Sequence, residues 1–193
     1  MTRLVVSNGI ILSRRASGEA DARITILTES LGLVAASARS SRREISKLRY
    51  GLEPFTTARF SFVRGKYEWK LIGVEQIARP LAAASARHRA VAGRIARLLS
   101  RLVQGEEQAP LLYRAVADGF ALLASAGTSA ETESIECVLV LRILFNLGYL
   151  PQTAELAPFV RDADLSLELA AQAATSRSAL IRAINDSLYA TGL

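Results

Sequence analysis

The feature that most constrains this fold is a change of hydrophobic period near residue 80. Before it, apolar residues alternate at every second position in five short segments, and after it they recur at helical spacing. Alternation at period two buries one face of a strand, whereas spacing of three and four residues buries one face of a helix. The chain is therefore predicted to be α+β, with a β module followed by an all-α module.

The β part has an insertion in a characteristic place. The predicted strands are Leu4–Ser13, Ala22–Thr28, Leu33–Ala38, Thr56–Val63 and Tyr67–Val74. Residues 39–54 separate the third from the fourth and are too long for a hairpin loop; Ile45 and Leu48 lie there at helical spacing. Five strands with an insertion after the third is the layout of an oligonucleotide-binding (OB) barrel. We expect this nucleic-acid-binding barrel over residues 1–78.

The second part, residues 79–193, is predicted to be a helical domain. The apolar spacing indicates five helices: 82–103, 110–126, 129–147, 164–173 and 175–189. Ser129 is expected to open the third helix with a weak Ser129-x-x-Thr132 cap, and Gly148 and Pro151 to end it. The most apolar window, 135–150, is too short to span a bilayer, and residues 1–15 do not resemble a signal peptide. Together with a single cysteine, these features predict a cytoplasmic protein.

Positive charge is concentrated in the first half of the chain. The net charge is +6 and the isoelectric point is about 10.0. Residues 1–80 carry 14 Lys and Arg against 7 Asp and Glu, residues 81–107 carry 5 against 2, and residues 108–193 carry 5 against 9. Chance segregation in an arginine-rich protein is the alternative, but this distribution favours a basic face that meets a polyanion.

Ten basic residues are candidates for binding a phosphate backbone. Five lie in the insertion: Arg39, Arg42, Arg43, Lys47 and Arg49. Five more lie in or beside predicted turns: Arg14, Arg15, Arg23, Arg64 and Lys66. Clustered cations release counterions when they meet successive phosphates, which drives nucleic-acid binding; a generic solvated loop is the alternative.

Aromatic residues interleave with these cations and offer stacking surfaces for bases. Phe60 and Phe62 share one strand face, Tyr67 and Trp69 another, and at least one pair belongs to the core. Whether Tyr67 or Trp69 faces solvent is open at this point.

Catalytic and metal chemistry find little support. Cys137 is the only cysteine and lies in an apolar helical segment, which indicates a core position without a disulfide. His88, the only histidine, is expected at the surface, and one Cys with one His cannot build a structural zinc cluster. Glu19 and Asp21 could bind Mg²⁺ or serve a hydrolase, but hydrogen bonds within a turn explain them better. Phosphate-binding glycine motifs are absent from the sequence, so we expect no enzyme and no cofactor.

The sequence resembles the bacterial RecO family of recombination mediators. The matching residues run in the family's order: Gly18-Glu19-x-Asp21, Thr28, Gly32, Ala38-Arg39-Ser40, Arg42-Arg43, Leu52-Glu53-Pro54-Phe55, Arg64-Gly65 and Leu147-Gly148-Tyr149. Glu53 stands where the family has Gln. The resemblance covers nearly all of residues 3–75 and is weaker in the helical part.

The resemblance implies a non-enzymatic role in DNA repair. It implies binding of single- and double-stranded DNA, annealing of complementary strands, and cooperation with RecR to load RecA onto DNA coated by single-stranded DNA-binding protein. The family's four-cysteine zinc motif is missing, because residues 152–165 hold no cysteine.

Two questions remain open from the sequence. Arg142 is the nearest candidate for binding the acidic tail of single-stranded DNA-binding protein, with helix 82–103 completing the cationic rim of an apolar pocket. The alternatives are a surface ion pair for Arg142 and a buried helix bundle with a purely structural role. The whole chain could instead be a protein–protein adaptor whose barrel and basic loop dock a protein partner.

Overall fold

The computed structural model describes residues 4–17, 19, 21–39, 51–161, 164–190 and 192. The chain forms a closed five-stranded barrel followed by helices, in the strand order β1-β2-β3-β5-β4. The strands are β1 (Leu4–Ser17), β2 (Asp21–Thr28), β3 (Gly32–Ala38), β4 (Thr57–Arg64) and β5 (Trp69–Ala78). The predicted α+β class and OB-type barrel are confirmed. The helical turn predicted around Ile45 and Leu48 lies outside the described residues.

The first strand is longer than its apolar pattern indicates. It continues to Ser17 because residues 13–17 pair with β2, and its register with β2 shifts between Ile11 and Ser13. Its first half pairs with β4, with Leu4 opposite Val63. One strand thus serves both neighbours, and the resulting stagger is what allows a sheet to close into a barrel.

The barrel interior is filled by the inward residues of the alternating segments. Phe60 and Phe62 are fully buried, and the ring of Trp69 meets Phe62 edge-on at 6.2 Å. Trp69 is only 7% exposed whereas Tyr67 is 84% exposed, which decides between the two aromatic residues left open by the sequence. Tyr67 lies in the loop between β4 and β5, outside the strand pairing that turns alternate side chains toward the barrel interior.

The described residues of the helical part form six helices. They are α1 (Ala86–Leu102), α2 (Pro110–Ser125), α3 (Ser129–Asn146), α4 (Ala157–Val160), α5 (Leu167–Thr175) and α6 (Arg177–Ala190). The predicted cap at Ser129 is wrong by one residue. Thr128 caps α3 through the backbone N–H of Glu131, whose carboxylate accepts from the Thr128 N–H in return. This capping box satisfies two N–H groups that would otherwise lack partners, which explains why the helix starts there.

The barrel and the helices share one apolar core. Ile10, Leu12 and Leu27 project from the barrel into a cluster that includes buried residues of α1, α2 and α3. Phe55 meets Phe120 of α2 edge-on at 5.6 Å. This core crosses residue 78, and the division into a barrel domain over 1–78 and a helical domain over 79–193 stays a prediction.

Candidate nucleic-acid interface

A row of polar and basic residues crosses four strands of the barrel. Arg15 of β1 lies opposite Arg23 of β2, Arg23 opposite Ser37 of β3, and Ser37 opposite Lys70 of β5. Residues directly opposite on neighbouring strands project to the same side of a sheet. We call these four residues the cross-strand row.

The cross-strand row lies on the outside of the barrel. Its members alternate with core residues: Ala22 and Ile24 flank Arg23, and Trp69 and Leu71 flank Lys70, and all four flanking residues are buried. Arg15 and Arg23 are exposed, and Ser37 and Lys70 are half-buried. Three strand spacings separate Arg15 from Lys70, so the row spans about 14 Å. The row is therefore an accessible strip on the β2–β3 face, the face that OB folds use for oligonucleotides.

Charge in the row is poorly compensated. Arg15 and Arg23 carry like charges on directly opposite positions, an arrangement that destabilises a sheet. Arg23 is paired with Glu68 at 3.0 Å, and both side chains are well exposed, so this ion pair contributes little. Within the described part of the chain, Arg15 and Lys70 form no ion pair. The strip favours an anionic ligand that lies along it.

Two further predicted cations, Arg14 and Arg39, flank the strands of the row, and four others fall outside the described residues. Arg14 lies opposite buried Ile24, so it sits on the inward-facing side of β1 and is half-buried. Arg39 follows the end of β3 and is exposed. The remaining insertion residues, Arg42, Arg43, Lys47 and Arg49, lie outside the described residues.

The loop between β4 and β5 presents an aromatic ring beside a cation. The Lys66 Nζ lies 4.9 Å from the centroid of the exposed Tyr67 ring. Gly65 closes this loop by donating its N–H to the Glu68 carbonyl at 2.8 Å, and a Cβ at Gly65 would come within 2.8 Å of that oxygen. The glycine thus permits the tight loop that exposes Tyr67.

Arg64 has an intramolecular role that its sequence position does not reveal. Its guanidinium lies 2.6 Å from Glu106 and 4.8 Å from the centroid of the Trp69 ring. The Trp69 indole N–H also donates to Glu106, at 2.9 Å. Burial alone would raise the pKa of Glu106, but the hydrogen bonds from Arg64 and Trp69 and the Arg64 charge outweigh it, so that pKa is lowered. These three residues, the Glu106 clasp, fasten the α1–α2 loop to the barrel.

Lys70 is the cation of the row that sequence reasoning missed. It lies between Trp69 and Leu71 in an alternating segment, and that alternation already indicates that Lys70 points away from the core. A search for clusters of cations along the chain overlooks it, because the row is assembled from residues on four different strands.

Arg142 lines a separate cavity of about 510 Å³ in the helical part. Arg142 is 7% exposed and its Nε donates to the Phe159 carbonyl at 2.9 Å. It is therefore buried, rather than lying at the helix surface as the alternative of a surface ion pair assumes. The predicted contribution of α1 is wrong, because the cavity lies between α2, α3 and the segment around α4. Its described lining residues are Leu111, Arg114, Ala115, Asp118, Arg142, Phe145, Asn146, Gln152, Val160, Arg161 and Asp164.

Other candidate chemistry is sparse in the described residues. They contain no group of three or more His, Cys, Asp or Glu side chains placed to hold a metal ion. Cys137 is buried as predicted, and burial raises the pKa of its thiol. No helix in the described ranges is long and apolar enough to cross a bilayer.

Comparison with known proteins agrees with the barrel and with the helices that follow it. The family described as Recombination protein O N terminal matches residues 1–78, and the family described as Recombination protein O C terminal matches residues 87–157. The chain belongs to the RecO family. The predicted family resemblance is thereby confirmed.

Individual RecO relatives match over different parts of the chain. A protein named DNA repair protein RecO from Heliobacterium modesticaldum is 32% identical over 155 residues, which are 78% of this chain and 54% of that protein. One from Thermoanaerobacter is 26% identical over 160 residues, 78% of this chain and 60% of the relative. One from Synechococcus is 44% identical over 59 residues, 31% of this chain and 21% of the relative. The chain thus spans about half the length of the first RecO relative.

Proposed function

We propose that this chain is a non-enzymatic DNA repair mediator that binds single- and double-stranded DNA without sequence preference and anneals complementary strands. In this proposal it acts with RecR to load RecA onto DNA coated by single-stranded DNA-binding protein, as RecO family membership implies. It works as a soluble protein of the cytoplasm. The observation that carries the proposal is the cross-strand row, with two arginines opposite each other on the outer face of an OB-type barrel.

The row supports phosphate contacts rather than base reading. Guanidinium groups pair with phosphate oxygens through two parallel hydrogen bonds, and such contacts position a nucleic acid without reading its sequence. A phosphate bound between Arg15 and Arg23 would offset the repulsion between their like charges. The close approach of the two cations therefore supports an anionic ligand at the row.

Stacking on Tyr67 supplies the second part of the proposal. The ring is 84% exposed and stands in the β4–β5 loop, which flanks the oligonucleotide face in OB folds. A base that stacks on such a ring gains affinity whatever its identity. Lys66, beside the ring, is placed to meet the phosphate of the same nucleotide.

The proposal is tested by fluorescence anisotropy of the whole chain with labelled single strands and duplexes of several sequences. We expect binding to all of them, with affinities that fall steeply and to a similar extent as salt is raised. The Tyr67→Ala variant should bind single strands more weakly, whereas Tyr189→Ala, which removes another exposed tyrosine, should bind as the wild type does. Absence of binding at low salt would contradict the proposal and favour the protein adaptor.

The Arg142 cavity supports a partner site for the acidic tail of single-stranded DNA-binding protein. Arg114 and Arg161 are exposed at the cavity, while Phe145 and Val160 offer apolar lining. A cationic rim around an apolar pocket suits a peptide of acidic residues that ends in Phe with a free carboxylate.

A labelled peptide of that kind should bind the full chain in the micromolar range typical of transient sites. Arg142→Ala should weaken it, and so should Arg114→Gln with Arg161→Gln, a pair of exposed positions whose replacement leaves the buried contacts in place. Arg182→Gln on α6 is the control. Equal peptide affinity in all variants would exclude this cavity.

A further inference from the structure

The outer face of α1 carries four arginines in line. Arg87, Arg94, Arg97 and Arg101 are all exposed. At 100° per residue they fall within about 80° of the helix circumference, and they extend over about 21 Å of its length. The buried residues of α1, among them Val91, Ile95 and Leu99, form the opposite face and pack into the core shared with the barrel. We call the four arginines the arginine face.

Carboxylates are missing from this part of the sequence. Residues 76–105 contain six arginines and no Asp or Glu. A solvent-exposed helix normally alternates charges so that residues three or four apart attract each other; Arg94, Arg97 and Arg101 repel at those spacings. Only Arg94 is compensated, by two hydrogen bonds of 2.6 Å to Glu136 of α3. In the described chain, Arg87, Arg97 and Arg101 form no ion pair.

The residues between the arginines indicate what kind of ligand fits. Ala90 and Gly93 are small, so an extended ligand can lie close to the helix. No large exposed hydrophobic side chain of the described chain belongs to α1, although protein interfaces are usually anchored by such residues. All of the cations are arginines, whose planar fork matches a phosphate. A regular line of guanidinium groups without a large apolar side chain among them fits a nucleic-acid backbone better than an acidic protein surface.

We propose that the arginine face is a second DNA-binding surface that holds the backbone of the second strand while the barrel holds the first. This inference rests on the proposed annealing function and deepens it. Two separate cationic surfaces neutralise two strands that would otherwise repel each other. The two surfaces lie on different parts of the molecule. The cross-strand row lies on the outside of the barrel, and the arginine face lies on the side of α1 that is turned away from the core it shares with the barrel.

The test compares two charge-matched double variants of the full chain. Arg97→Gln with Arg101→Gln removes two uncompensated cations of the arginine face. Arg59→Gln with Arg182→Gln removes two exposed cations from β4 and α6. Gln keeps the helix propensity, and fewer like charges remain on α1, so the melting temperature of the first variant should not fall.

Annealing is followed by energy transfer between two labelled complementary strands, and binding of one strand by anisotropy. We expect the arginine-face variant to bind one strand within about twofold of wild type and to anneal about tenfold more slowly, since each exposed ionic contact is weak but two are lost. The control variant should anneal at the wild-type rate.

Three results would overturn the inference. Annealing at the wild-type rate in both variants would exclude the arginine face. Equally slow annealing in both would make it an effect of net charge. Unchanged annealing with loss of self-association in sedimentation would show that a second copy of the chain covers this face. Failure of the wild-type chain to bind any strand would instead refute the proposed function itself.

Discussion

Gly32→Ala is expected to be among the more damaging single substitutions of a turn residue in this fold. Gly32 has a φ of +64°, in the left-handed region that glycine adopts at little cost. A Cβ at this position would also lie 2.3 Å from the carbonyl oxygen of Glu107 and 3.1 Å from its nitrogen. Both neighbours are backbone atoms of the α1–α2 loop, so no side chain can rotate out of the way.

The magnitude follows from these two costs. The left-handed conformation costs an alanine about 1 kcal/mol. Displacing the loop backbone adds roughly 1–3 kcal/mol, the usual range for overpacking. Gly105 provides a matched control: its φ is +83° but a Cβ there would have no neighbour within 4 Å. Gly105→Ala should therefore cost only about 1 kcal/mol, and Gly32→Ala about 2–4 kcal/mol.

Urea unfolding of both variants measures the difference directly. Displacement of the loop should also disturb the neighbouring Glu106 clasp, and Trp69, the only tryptophan, reports it through its fluorescence. The emission of Gly32→Ala should shift in the native state, whereas that of Gly105→Ala should not. Equal destabilisation by the two substitutions, with unchanged emission, would refute the close approach of Glu107 to the barrel.

Further predictions concern titration and metal. Stability from the lowered Glu106 pKa is present above the ordinary glutamate range and is lost as the pH falls through the lowered value. The unfolding free energies of wild type and Glu106→Gln should therefore converge in urea titrations as the pH falls below the ordinary glutamate range. Burial raises the pKa of the Cys137 thiol; the Arg177 charge acts to lower it and the Glu136 charge to raise it. Ellman's reagent should therefore label Cys137 slowly until the protein is unfolded. The free energy of unfolding should decline as the pH rises above the ordinary thiol pKa, because the thiol then ionises more readily in the unfolded chain. Purified protein should contain no stoichiometric zinc, and a chelator should leave the melting temperature unchanged; elemental analysis that finds one zinc per chain would contradict this.

The barrel could be predicted from the sequence because its signals are local. Alternation identified five strands, and the insertion after the third gave the OB layout. The end of β1 could not be predicted, because residues 14–17 are mostly polar and become a strand only through their pairing with β2. Thr128 was overlooked as the cap of α3 because Ser129 beside it offers a similar hydroxyl.

The site was predicted less completely, because it depends on register. Arg15, Arg23 and Lys70 are far apart in sequence and meet only when four strands align. The sequence predicts Arg64 as an interface residue, but in the structure its guanidinium pairs with Glu106. The local sequence does not reveal this pairing, because the two residues are 42 positions apart. Charge clustering along the sequence therefore finds cations but does not tell which of them a carboxylate already holds.

The most direct test of the central claim is the salt dependence of single-strand binding in wild type and in the variant Arg15→Gln, Arg23→Gln, Lys70→Gln. Each lost phosphate contact should reduce the slope of log affinity against log salt by about 0.7, so the account predicts a slope smaller by about 2 in the triple variant. Arg59→Gln with Arg182→Gln should keep the wild-type slope. An unchanged slope in the triple variant would contradict the assignment of the cross-strand row as the DNA-binding surface.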